Sequence, residues 1–212
     1  MEKRMDEKIL DFINEIEEKR LRENICEGPV KINNNFYEFE ESEFFDGALK
    51  MYIPNTFIDM PEEARRFKYP SEDRPDIIKC NDDGSIAITF KIIDNPLEDE
   101  YIDDLKETMV LITKKLNPSN VFFDEGILEI DSKKIAYYDF KSSAIDAYLY
   151  NFTFLFEFKG ETFMGTFSCD YKDMREWKDD VIFQMINTIK VKKNNMWYIR
   201  GGKIWVRNLH IH

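Results

Sequence analysis

Tyr148-Leu149-Tyr150-Asn151-Phe152-Thr153-Phe154-Leu155-Phe156-Glu157-Phe158 places an aromatic ring at every second position. A period of two gathers Tyr148, Tyr150, Phe152, Phe154, Phe156 and Phe158 on one face of a β-strand, because successive strand side chains point to opposite sides. A helix would scatter the same rings around its circumference. The ringed face reads as core, since aromatic side chains bury large areas. The other face, with Leu149, Asn151, Thr153, Leu155 and Glu157, is mixed in character, and a partner fits it as well as it fits an open groove on the ringed face. The Lys159-Gly160 turn then returns the chain into a second strand, Glu161 to Cys169, with Phe163, Phe167 and Cys169 on one side.

Outward from this hairpin the chain reads as strands and two amphipathic helices. Ala48 to Ile53 is a strand stopped by Pro54, and 55–76 is irregular. Ile77 to Cys80 and Ser85 to Ile93 flank the turn residues Asn81-Asp82-Asp83-Gly84. Asn95-Pro96-Leu97-Glu98 opens a helix as cap, first position and capping-box acid, with Tyr101, Leu105, Met109, Ile112 and Leu116 as its apolar face. Strands follow over 121–130 and 133–140. After the aromatic hairpin, Asp173 caps a second helix buried through Met174, Trp177, Val181, Met185 and Ile189. A last hairpin, 196–200 and 203–209, turns at Gly201-Gly202. Met5, Ile9, Phe12 and Ile16 space a further helix over 4–25. Short turns between neighbouring strands make the sheet mainly antiparallel, and helices with one apolar face each must cover it. The fold class is therefore α+β. Three segments are expected: an N-terminal helix and linker extension over 1–46, the α+β domain over 47–192, and a basic β-hairpin over 193–212 packed on it.

Three stretches of this layout resemble the PsbP-like superfamily, which includes the DcrB-like bacterial proteins and the Ran-binding nuclear import factor. They are the strand Leu49-Lys50-Met51-Tyr52-Ile53-Pro54, the hairpin Asp83-Gly84-Ser85-Ile86-Ala87-Ile88-Thr89-Phe90 with the helix after it, and the aromatic hairpin 148–169 leading to a Trp-containing helix and Ile189-Lys190-Val191. The resemblance spans about 47–192. It implies an antiparallel sheet flanked by helices, and a binding or accessory role with no shared active site. Some relatives resemble chaperones or adaptors for secreted effectors.

Composition narrows the function. The net charge of −12 disfavours nucleic acid or an anionic membrane as the main partner. The charge is uneven: 190–212 holds six basic residues and no acidic one, leaving 24 basic against 42 acidic residues elsewhere. No stretch approaches the ~20 apolar residues of a membrane span. The start Met-Glu-Lys-Arg-Met-Asp-Glu-Lys lacks an apolar leader core, so a cytoplasmic chain is expected, with Cys26, Cys80 and Cys169 reduced.

The catalytic inventory is thin. The two histidines, His210 and His212, stand at the end of the sequence, and a His-based triad or a metal site would need further groups brought to them. Carboxylate pairs such as Asp82-Asp83, Asp103-Asp104 and Asp179-Asp180 follow from an acidic composition, turn chemistry and helix starts. None of the eight glycines falls in a phosphate-binding motif. The chain is thus expected to be a non-enzymatic cytosolic binding protein without cofactor or metal, an adaptor or chaperone for a protein partner. The alternatives are a carrier of a small apolar ligand and a carboxylate-based enzyme. Candidate contact residues are Leu149 and Leu155 on the mixed strand face, and Arg200, Lys203, Trp205 and Arg207 in the basic hairpin, where cationic and aromatic groups interleave. That hairpin also suits the acidic surface of its own chain or of a homodimer.

Overall fold

The computed structural model describes residues 24–144, 146–192, 197–200 and 203–206. All but the last two residues of the helix expected over 4–25 lie outside this range. The architecture is α+β and mainly antiparallel, as the sequence implies. A seven-stranded sheet runs in the order β5-β6-β7-β11-β10-β9-β8. Its strands are β5 (Ile58–Asp59), β6 (Ile77–Cys80), β7 (Ala87–Pro96), β8 (Val121–Ile130), β9 (Lys133–Ser143), β10 (Tyr148–Phe158) and β11 (Glu161–Asp170). The aromatic strand β10 sits inside the sheet. Its partners lie in register: Phe156 opposite Phe163, Phe152 opposite Phe167, Tyr150 opposite Cys169.

Five of the six rings of β10 are fully buried, while Tyr148, at the strand start, is 56% exposed. Against this face packs a second layer, a three-stranded sheet β12-β4-β3 formed by β3 (Phe39–Phe44), β4 (Leu49–Pro54) and β12 (Lys190–Val191). The small hairpin of β1 (Val30–Ile32) and β2 (Asn35–Tyr37) joins the same core through Val30 and Ile32. Ring contacts fill this core: Phe156 stacks on Phe163 within the large sheet at 4.4 Å, Phe44 of β3 meets Phe90 edge-on at 4.7 Å, and Trp177 lies 4.9 Å from Phe167.

The boundary expected between 46 and 47 falls within the turn of the β3–β4 hairpin, where all six residues of β3 pair with β4. Ile25, Val30, Ile32 and Phe44 belong to the main core. The described part of the first segment is therefore integral to the domain rather than a docked extension. The acidic stretch Glu40 to Phe44, within the segment expected as a linker, belongs to β3 because its charges are answered across the sheet. Lys50 reaches Glu43 at 2.6 Å and Lys190 reaches Glu41 at 2.6 Å. The hydrogen bond from Lys190, helped by one from Lys50, holds the Glu41 carboxyl below its usual range.

The last helix is composite. It comprises α3 (Met174–Trp177), a π-helical segment Lys178–Ile182 and α4 (Phe183–Asn187). Trp177, Val181, Met185 and Ile189 are buried as expected, Met174 is half-buried, and the π segment brings Ile182 and Ile186 into the core as well. Asp173 makes no capping bond. It accepts a hydrogen bond from Asn33 Nδ2 at 3.0 Å instead.

The region 55–76 is more ordered than its prolines suggest, holding β5 and α1 (Glu62–Lys68). On the far face of the large sheet lies α2 (Ile102–Leu116), which starts later than Asn95-Pro96 predicts. Strand β7 continues through Pro96, and the Asn95 side chain bonds Thr162 Oγ1 instead of capping a helix. A 3₁₀ turn over Asp99–Tyr101 leads into α2. Below α2 a second core forms from Leu97, Ile102, Val110, Ala136, Tyr138 and Leu155. The C-terminal hairpin is formed by β13 (Trp197–Arg200) and β14 (Lys203–Val206), which pair with each other.

Candidate functional site

Strand β10 separates two environments, and the candidate surface lies on its mixed face. Leu155 is fully buried there, beneath α2, packing with Ala136 and Tyr138. It is a core residue and cannot meet a partner in this fold, because the helix already occupies the space above it. Leu149 is half-buried near the strand start. Between the two leucines runs a polar row. Asn151 Nδ2 donates to Ser142 Oγ at 2.9 Å, Ser168 Oγ donates to Asn151 Oδ1 at 3.0 Å, and the hydroxyls of Thr153 and Thr166 lie 3.3 Å apart.

Helix α2 is turned relative to the face its sequence suggests. Ile102 and Val110 are its buried residues, with the Lys106 stem beside them: the Lys106 side chain is 11% exposed and its ammonium reaches Asp103 at 3.0 Å. Of the expected face, Leu105 and Met109 are half-buried, whereas Tyr101, Ile112 and Leu116 are exposed. With Leu111, the helix and the turn before it leave four large apolar side chains in solvent, Leu116 at 81%. At about 100° per residue, Tyr101, Leu105, Ile112 and Leu116 share one flank of the helix. Thr113 Oγ1, 3.1 Å from the Tyr138 hydroxyl, fixes the helix against β9.

In the hairpin, Tyr198 pairs with Trp205 and Arg200 with Lys203. Arg207, His210 and His212 lie outside the described residues.

Elsewhere the titratable groups serve structure. Asp83 Oδ1 accepts from the Ser85 amide at 2.7 Å and Asp82 Oδ1 from the Asp83 amide at 2.9 Å, which is turn chemistry. No group of three or more His, Cys, Asp or Glu side chains is placed to hold a metal ion among the described residues. A cleft of about 1030 Å³ opens where the β8–β9 and β10–β11 turns meet β12. Its lining mixes Leu97, Ile130, Ile135 and Ile189 with Lys133, Glu157 and Asp131, and Lys133 is bound to Glu157 at 2.6 Å.

All three cysteines are free thiols. Cys26 is exposed, while burial raises the pKa of Cys80 and, far more strongly, of Cys169. A thiol reagent at pH 8 should therefore titrate one fast thiol, removed by Cys26→Ser, and reach the other two only in denaturant.

Comparison with known proteins places this geometry. No protein-family profile matches the chain, and no curated protein sequence does. Solved structures do. The fold is similar to cyanobacterial PsbP (CyanoP) from Synechocystis sp. PCC 6803, with 8% identity over 76% of this chain and 96% of that one, at a TM-score of 0.54. The Saccharomyces cerevisiae Ran-binding protein Mog1p aligns over 73% of this chain and 96% of its own, at 12% identity and a TM-score of 0.49. A putative regulator of unknown function from Pseudomonas aeruginosa, PA94, aligns over 74% and 99% at 9% identity and a TM-score of 0.45. The chain has a PsbP-like fold.

Proposed function

We propose that this chain is a non-enzymatic, cytoplasmic binding protein that acts as an adaptor or chaperone for a protein partner. The observation that carries the reading is the apolar flank of α2. A helix on the surface of a soluble domain ordinarily turns its apolar stripe inward. Here Ile112 and Leu116 stay outside while a lysine stem takes the inner position, and exposed apolar groups grouped on one element mark interaction sites. The polar row of Ser142, Asn151 and Ser168 supplies hydrogen-bonding groups on the same face of the sheet. Among the described residues no helix is long and apolar enough to cross a membrane. A small apolar ligand would want an enclosed, apolar cavity. The large cleft is open and charged, which favours a protein partner over the carrier reading.

The test is a photo-crosslinking amino acid at position 112 of the full-length protein in its native cells, with position 63 on α1 as control. The expected result is a discrete crosslinked protein from position 112, lost when Leu116→Glu is added and absent from position 63. Identical crosslinks from both positions would sink the reading.

A further inference from the structure

We propose that the basic hairpin β13–β14 docks on the open edge of β8 in its own chain, extending the large sheet and closing that edge. This surface is separate from the flank of α2 invoked above.

The need comes first. Strand β8 is ten residues long and among the described residues pairs with β9 alone, which leaves its other side open to further pairing. It also exposes Val121, Phe123 and Ile127. At the opposite end of the sheet the edge strand, β5, has two residues. An edge of this length invites pairing with other chains unless something covers it.

The hairpin has the complementary need. A two-stranded hairpin is marginal in water by itself. In sequence, β13 and β14 alternate the apolar residues Trp197, Ile199, Ile204 and Val206 with Tyr198, Arg200, Lys203 and Trp205. Among the described residues β14 likewise pairs on one side only.

Charge selects the match. Residues 117–132, which contain β8, hold Asp124, Glu125, Glu129 and Asp131 and no basic residue, while 190–212 hold six basic residues and no acidic one. Acidic side chains on an edge repel strands like itself and admit a basic one.

Position delivers the hairpin to the right place. The chain leaves the domain at Lys192, whose amide is anchored to the Ala48 carbonyl at 2.8 Å. Lys192 lines the same cleft as Ile130 and Asp131, at the end of β8. The five steps from Lys192 to Trp197 reach at most about 17 Å, which keeps the start of the hairpin near this end of β8.

Hydrogen–deuterium exchange on the full-length protein tests this. Peptides covering 121–130 should be protected in the parent protein and exchange at least about tenfold faster in Lys203→Glu/Arg207→Glu, with protection partly restored by adding Glu129→Lys. Peptides covering 150–158 serve as the folding control and should not change. Equal exchange of 121–130 in parent and charge-reversed protein overturns the proposal. Protection that appears only on raising protein concentration a hundredfold also overturns it, because a second copy then supplies the strand. Neither result touches the crosslinks at position 112, so the two readings fail separately.

Discussion

Replacing Asp139 with alanine should lower the unfolding free energy by about 3–5 kcal/mol, the usual cost of removing one partner from a buried ion pair. Asp139 has no solvent exposure, and its carboxylate joins three elements. Oδ2 accepts from Lys178 Nζ at 2.6 Å and from the Tyr150 hydroxyl at 2.7 Å, and Oδ1 accepts from the Asp124 amide at 2.7 Å. Lys178 opens the π-helical segment, and Tyr150 belongs to the aromatic face of β10. Asp124 sits in the irregularity of β8 between Phe122 and Glu125. Loss of the carboxylate leaves an ammonium whose side chain is 14% exposed without its nearest counter-charge, Asp124 being 3.9 Å away. The paired change Asp139→Leu/Lys178→Met should recover only the part due to the stranded ammonium, because the Tyr150 hydroxyl and the Asp124 amide still lose this acceptor. Chemical denaturation of the single and double variants checks this. A single-variant loss below ~1 kcal/mol would show that water already satisfies these groups.

The second large effect belongs to Gly165. It lies directly opposite Phe154, whose ring is folded across it. A Cβ built at Gly165 would come within 2.1 Å of Phe154 Cζ and 2.5 Å of the neighbouring ring carbons. The Phe154 ring cannot swing away freely, since Phe90 and Phe163 flank it at 6.5 and 6.1 Å. Gly165→Ala should therefore cost about 3 kcal/mol through overpacking alone. For a chain of this size that lowers Tm by about 6–12 °C. Adding Phe154→Leu should return part of the loss by vacating the space the methyl needs. If the double variant is no better than Gly165→Ala, the cause is backbone rather than ring.

The aromatic strand, its turn and its partner were legible because a period of two is a local signal and five of its six rings, Tyr150 to Phe158, obey it. The α+β class followed from the same logic. Two features were hidden by charge. The acidic run at β3 reads as a linker until Lys190, far along the chain, is seen to answer Glu41. On α2 the buried stripe passes through Lys106, whose aliphatic stem packs inward while its ammonium reaches out. A hydropathy pattern counts that lysine as polar and assigns the wrong flank to the core. The Asn95 and Asp173 cap signals failed for a third reason: tertiary partners, Thr162 and Asn33, claimed the side chains first. Of the candidate site, Leu155 was misplaced by the same rotation of attention. A strand face that looks mixed in sequence is covered at one end and open at the other, and only the position of α2 decides which.

The pairing of β12 with β4 joins Lys190 to Lys50 and Val191 to Leu49, and it has a consequence for synthesis. During translation the meander from β7 to β11 emerges complete while the layer that shields its rings is still missing its last strand and the composite helix. Trp177, Val181 and Ile186 arrive only after every aromatic residue of β10 has left the ribosome. For that interval the nascent chain carries a sheet whose phenylalanine face is only partly covered, by β3 and β4, the kind of surface on which aggregation starts. The need for a chaperone is thus greatest between the emergence of β11 and that of β12, an interval of a few seconds at about 5–20 residues per second.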